Sequence, residues 1–166
     1  MKICPLIPAF FILTNMKMNV KPIGIIRNSI NETLYFDAKN ITSEIIVNPE
    51  YVRGLDSIET FSHIIVIFWL NKIKSAGRKV LKVHPRRDFT LPLVGVFSSR
   101  SPRRPNPIAV TTVKLIGRQS NVLIVTGLDA VNGTPVLDIK PYLPEKINPM
   151  ELRFPDWVNK PLLHST

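Results

Sequence analysis

Cysteine is nearly absent from this chain: Cys4 is the only one in 166 residues. A single thiol forms no intrachain disulfide, and the paired-cysteine spacings of zinc and redox sites cannot be built from it. Histidine is scarce as well. His63, His84 and His164 lie far apart in sequence, so no histidine-held metal is expected. No stretch reaches the roughly 18 uninterrupted apolar residues that a membrane-spanning helix needs. Acidic residues are outnumbered, 12 against 22 basic ones, which leaves a net charge of +10. An excess of that size favours a polyanionic partner, a nucleic acid or an anionic membrane surface.

What is present is enough for a packed core. With 45% hydrophobic and 20% charged residues, the composition is that of a globular chain of one domain rather than a disordered one. The first residues, MKICPLIPAFFILTN, have the outline of a signal peptide, but Pro5 and Pro8 interrupt the apolar run and no small-residue cleavage site follows. We therefore expect residues 1–17 to be an extension, 18–148 the folded domain and 149–166 a tail packed on the surface. A cytoplasmic protein is expected.

Local patterns predict many short strands. Pro22–Arg27 and Ile41–Val47 are rich in β-branched residues, and Asn28–Asn40 between them is polar and irregular. Asn48, Pro49 and Glu50 carry a helix-start signature that Gly54 cuts short. Ser62–Asn71 is the most apolar run outside the N-terminus and predicts a strand buried on both faces. Leu93–Ser98, Val110–Gly117, Asn121–Gly127 and Pro135–Lys140 complete the set, with a hairpin around Gly117–Ser120. Short strands, few helical periods and 15 prolines predict an all-β fold, a single antiparallel β-barrel.

The positive charge is concentrated. Between Lys72 and Arg104 stand ten basic residues and one acid, Asp88, so this stretch holds nine of the ten net charges. A surface that follows phosphates needs that concentration, because each neutralised phosphate releases counterions. No amphipathic helix with an aromatic face accompanies the charge, which disfavours a membrane. Within the stretch, the run from Gly95 to Ile108 packs three prolines and three arginines, Arg100, Arg103 and Arg104, between two strands. Proline stiffens the loop and removes backbone donors, so guanidinium groups are presented with little entropy left to lose. A second run, Gly127–Pro144, contains the turn pair Asn132–Gly133. Strand alternation then places Asp138 on one face with Val136 and Lys140, where the acid needs either a partner or a task. His63 is a candidate proton carrier at a strand end.

Three motifs now stand in order: VRGLDSIETFSHIIVIFWLNK (52–72), GVFSSRSPRRPNPIAVTTVKL (95–115) and LDAVNGTPVLDIKPYLP (128–144). Together they resemble the TsaA/TrmO-like family, over roughly Val20 to Pro144. The resemblance implies a homodimeric antiparallel β-barrel. It also implies S-adenosylmethionine-dependent methylation of tRNA at N6 of threonylcarbamoyl-adenosine, next to the anticodon. Carried over by motif, Asn71, Lys72, Arg100, Val110, Gly127, Leu128 and Asp129 bind the cofactor. Arg103, Arg104 and Asn106 match the R-P-N core and serve substrate or loop geometry. Arg86 and Arg87 follow tRNA phosphates, and Asp138 or His63 takes the N6 proton.

Some positions depart from the family pattern. Ala109 stands where glycine is common, Asn132 where aspartate is common, and the expected proline- and glycine-rich cofactor segment has no clear counterpart between Ser29 and Ile46. Two rival functions remain: a barrel that binds the cofactor or RNA without catalysis, and a methyltransferase for a small molecule. Nothing in the sequence matches a Gly-rich dinucleotide-binding fingerprint.

Overall fold

The computed structural model describes residues 18–32, 37–144 and 152–159. The expected N-terminal extension lies outside the described residues, as does most of the expected tail. Eight strands form: β1 (Gly24–Arg27), β2 (Thr42–Val47), β3 (His63–Trp69), β4 (Lys82–Val83), β5 (Val94–Gly95), β6 (Ile108–Gln119), β7 (Val122–Thr126) and β8 (Pro135–Pro141). Six of them close into an antiparallel barrel in the order β1-β2-β7-β6-β3-β8, and β4 with β5 makes a separate two-stranded ribbon. The expected barrel is therefore present. Among the described residues, no helix is long and apolar enough to cross a membrane.

Closure gives every barrel strand one inward face, and the β-branched residues supply it. Ile26, Ile45, Val47, Ile64, Val66, Phe68, Val113, Leu123, Val125 and Val136 are all buried there. Alternation is visible in β3: Ile64, Val66 and Phe68 are buried, whereas Ile65, Ile67 and Trp69 are only half-buried. This corrects the expectation of a strand buried on both faces. In a barrel of this size only the inward face is sealed, so the apolar run reflects a half-covered outer face.

Two further expectations are corrected. Leu93–Ser98 is not one strand: only Val94–Gly95 pairs, and Val96–Ser98 winds into a 3-10 turn closed by Ser99 N–H donating to the Val96 carbonyl. Asp138 does not share a face with Val136. The β3–β8 register shifts between Ile67 and Phe68, so that Phe68 faces Val136 while Ile67 faces Asp138. This bulge keeps Val136 and Ile139 on the core side and turns Asp138 outward. The expected hairpin is present, with Gln119 opposite Val122 across a two-residue turn in which Ser120 takes φ 56°.

The segment after β2 is the helical turn that its sequence predicts, in 3-10 form over Pro49–Leu55. It places Leu55 against the core. Asn48 does not cap it by its side chain; its Nδ2 donates to the Pro22 carbonyl instead.

Candidate functional site

β3 and β6 are neighbours in the barrel, yet 38 residues separate them in sequence, 70–107. This excursion contains the whole basic run. Its neck is pinned at one barrel end, where Leu70 N–H donates to the Pro107 carbonyl at 2.8 Å. The same end receives the loop after β7. Gly127 leaves β7 at φ +86°, a conformation natural to glycine, and Gly133 makes the turn into β8 at φ +78°. Asn71 Nδ2 lies 3.4 Å from the Gly133 carbonyl, which ties the two loops together.

A third loop joins them from the end of β1. Asn28 Nδ2 donates to the Ala130 carbonyl at 2.9 Å and to Ser43 Oγ at 3.0 Å, and Asn132 N–H donates to the Ile30 carbonyl at 2.6 Å. Sequence reasoning passed over Asn28 as an ordinary loop residue. Its partners are 15 and 102 residues away, so no local pattern marks it. The structure thus gathers Asn71, Lys72, Asn106, Gly127, Leu128 and Asp129 at one barrel end, together with the start of β6 near Val110.

Within this group the side chains differ in what they offer. Leu128 is fully buried in the core cluster, and its carbonyl accepts from Ala130 N–H at 3.0 Å. Val110 is exposed on the outer face of β6. Asp129 is exposed at the rim between buried Leu128 and Ala130, and among the described residues no ion pair or hydrogen bond meets its carboxylate. The surrounding protein displaces enough water to hold its pKa above the ordinary 3.8.

The arginine loop divides its labour. Arg104 is turned back on its own loop: Nε donates to the Ser101 carbonyl at 2.9 Å, and Nη2 to the carbonyls of Val96 (3.1 Å) and Ser99 (2.7 Å). That staple fixes the bend and leaves Arg100 and Arg103 exposed beside it. Arg78, counted earlier only as part of the basic run, lies over the Trp69 ring at 5.3 Å. Its Nε is buried with no acceptor among the described residues.

The remaining candidates stand elsewhere. His63 begins β3, roughly 20 Å along the strand from Trp69. It is exposed, with Nδ1 2.9 Å from Ser62 Oγ and an edge contact to Tyr142. Asp138 faces outward, 2.7 Å from Lys140 Nζ, and accepts from Ile139 N–H. Arg86 donates to the Val158 carbonyl at 2.8 Å, and Arg87 follows it on the excursion; both adopt φ 58°.

Known proteins match this chain along most of its length. A protein of Methanothermobacter thermautotrophicus, known as a probable S-adenosyl-L-methionine-binding protein, is 40% identical over 134 residues, covering 78% of this chain and 93% of its own. A protein of the same description from Archaeoglobus fulgidus is 48% identical over 101 residues, covering 61% of this chain and 26% of its own. The human tRNA (adenine(37)-N6)-methyltransferase is 40% identical over 115 residues, 69% of this chain and 25% of that protein. The chain therefore spans about a quarter of the length of two of these relatives. The crystal structure of TrmO from P. aeruginosa superposes with a TM-score of 0.67 at 27% identity, over 87% of this chain and 63% of that one. The family model for the tRNA-methyltransferase O N-terminal domain matches residues 35–146, from before β2 to beyond β8, and the chain belongs to that family.

Proposed function

We propose that this chain is an S-adenosylmethionine-dependent tRNA methyltransferase that acts on N6 of the threonylcarbamoylated adenosine beside the anticodon. The observation that carries the proposal is the convergence at one barrel end. There, the loops matching the family's motifs meet the neck of an excursion that holds nine of the ten net charges. The names of the human and archaeal relatives support the reaction and the cofactor respectively.

The residues present fit the cofactor by chemistry. S-adenosylmethionine carries a carboxylate, two cationic centres and a hydroxylated sugar. Exposed Arg100 would hold the carboxylate. Asp129, desolvated and without a cation, would hold a cationic or hydroxyl group. Asn71, the backbone at Gly127 and the outer face of Val110 would complete the cradle, with Leu128 fixing the loop from the core side. When bound, the cofactor supplies an electrophilic methyl group, so the protein needs no strong nucleophile of its own.

The work left to the chain is alignment and exclusion of water. Alignment of two reactants is worth about 7–11 kcal/mol in favourable cases. The Arg104 staple and the Asn28 and Asn71 ties serve that end by making the three loops rigid before any ligand arrives. The N6 proton must also leave. Asp138 and His63 face other surroundings; with Asp129 engaged by the cofactor, the N6 proton passes to solvent water. Two chains pair in this proposal, which sedimentation of the purified protein checks.

A second reading, a cofactor-binding barrel without catalysis, is favoured by the names of the archaeal relatives, which state binding alone. Mass spectrometry of tRNA nucleosides from a strain lacking the gene separates the two. Loss of one N6-methylated adenosine is the expected result; an unchanged nucleoside profile overturns the proposed reaction.

A further inference from the structure

The excursion carries a feature that the methyl-transfer site does not use. Residues 84–91 form a braced turn. Asp88 N–H donates to the Pro85 carbonyl and Leu91 N–H to the Asp88 carbonyl, at 3.0 and 3.1 Å. Asp88 Oδ1 accepts from both Thr90 N–H (2.8 Å) and Thr90 Oγ1 (2.6 Å), and His84 Nδ1 lies 2.8 Å from the Leu91 carbonyl. Pro85 and Leu91 are buried and anchor the turn to the body of the excursion.

Out of this brace projects Phe89, 83% exposed, its ring 5.1 Å from the His84 ring and tilted by 53°. A ring held on a rigid mount in this way presents an open π-face to solvent beside cationic side chains. Arg86 and Arg87 beside it hold left-handed conformations that non-glycine residues adopt rarely and that persist only where the surroundings enforce them.

We infer that Phe89, backed by His84, is a stacking platform for an unpaired base of an RNA whose phosphates follow the surrounding cations. The inference rests on the tRNA reading above and adds a contact distinct from the methyl-transfer site. A flat π-face joined to a phosphate is what one unpaired nucleotide brings, and it meets both features of the turn at once. A second copy of this chain would bring its own positive excursion against the first, so charge disfavours that occupant.

The test uses the full chain and two synthetic RNAs, an anticodon stem–loop and a perfect duplex with the same number of phosphates, with binding read by fluorescence anisotropy over a range of salt. Phe89→Ala is expected to weaken stem–loop binding about 5- to 150-fold, the range that removal of one stacked base gives. Duplex binding and the salt slope are expected to stay as in wild type, because stacking releases no counterions. Phe89→Trp is expected to restore stem–loop binding and Phe89→Leu to behave like alanine. Lys82→Ala should instead lower the salt slope. Equal stem–loop affinity of Phe89→Ala and wild type overturns the platform, as does rescue by leucine, which would mean simple apolar packing. Dissociation of a dimer by Phe89→Ala with RNA affinity unchanged also overturns it, by making the ring a chain–chain contact. If wild type binds neither RNA, the tRNA reading falls and takes the platform with it; if wild type binds and only the Phe89 series is silent, the platform alone falls.

Discussion

Asp129 shows how a single side chain connects stability to ligand binding. Its carboxyl is held above 3.8 by desolvation, so between that value and the folded one the native state binds more proton than the unfolded chain. Stability therefore falls as pH rises through that interval, and the penalty is complete above it. Asp129→Asn is expected to raise Tm at pH 7 and to match wild type below pH 3.8; a lower Tm at pH 7 would contradict the desolvation argument. The same substitution is expected to weaken S-adenosylmethionine binding in isothermal titration and to remove its decline toward acid pH. Arg104 makes the opposite case, a cation used for shape. Arg104→Ala removes three hydrogen bonds to loop carbonyls and is expected to cost about 1–3 kcal/mol in urea unfolding, with faster proteolysis within residues 96–107. The sequence marked both residues, but it assigned Arg104 to the substrate or to loop geometry without deciding between them. The three carbonyl distances show its guanidinium engaged by the loop. Asp138 was misplaced for a different reason: a one-residue bulge reverses strand parity, and nothing in PVLDIKP announces it.

At the scale of elements, the barrel strands were legible because β-branched runs bounded by glycine, proline and asparagine have few other ways to fold. Boundaries moved by one or two residues, as for β3 and β6. Val96–Ser98 failed as a strand because the Val96 carbonyl is claimed from the side by Arg104 and Ser99, an arrangement that pattern alone does not show. Close strand approach gives a sharp prediction at Gly24 in β1. A Cβ there would collide with the backbone carbonyl of Ile46 on β2, which cannot swing aside as a side chain could. Gly24→Ala is expected to destabilise by about 1–3 kcal/mol through overpacking, read as a drop in the urea midpoint with an unchanged slope. Phe68, fully buried near the end of β3, sets the larger scale: Phe68→Ala is expected to cost about 3–5 kcal/mol.

For the whole molecule, the barrel class could be read from strand number and length, whereas the order β1-β2-β7-β6-β3-β8 could not. β3 pairs with β6 and β8 across long stretches of chain, and such pairing leaves no local trace. Closure is nevertheless what gives the basic run its meaning. By returning residue 107 to residue 70, it hangs nearly all the net charge beside the loop end where Asn71, Gly127 and Asp129 meet. RNA affinity is accordingly expected to depend on the excursion: Lys72→Ala with Lys74→Ala should reduce the slope of log K against log salt by about 0.7–0.9 for each phosphate that is no longer neutralised. On this reading, one barrel end both holds the methyl donor and presents it to tRNA. The most direct measurement is transfer of an isotope-labelled methyl group from S-adenosylmethionine to purified tRNA, with and without the threonylcarbamoyl group, followed by nucleoside mass spectrometry. Label is expected at N6 of the modified adenosine beside the anticodon, abolished by Arg100→Ala. Cofactor binding with no label in either tRNA, or label on a different nucleoside, would contradict it.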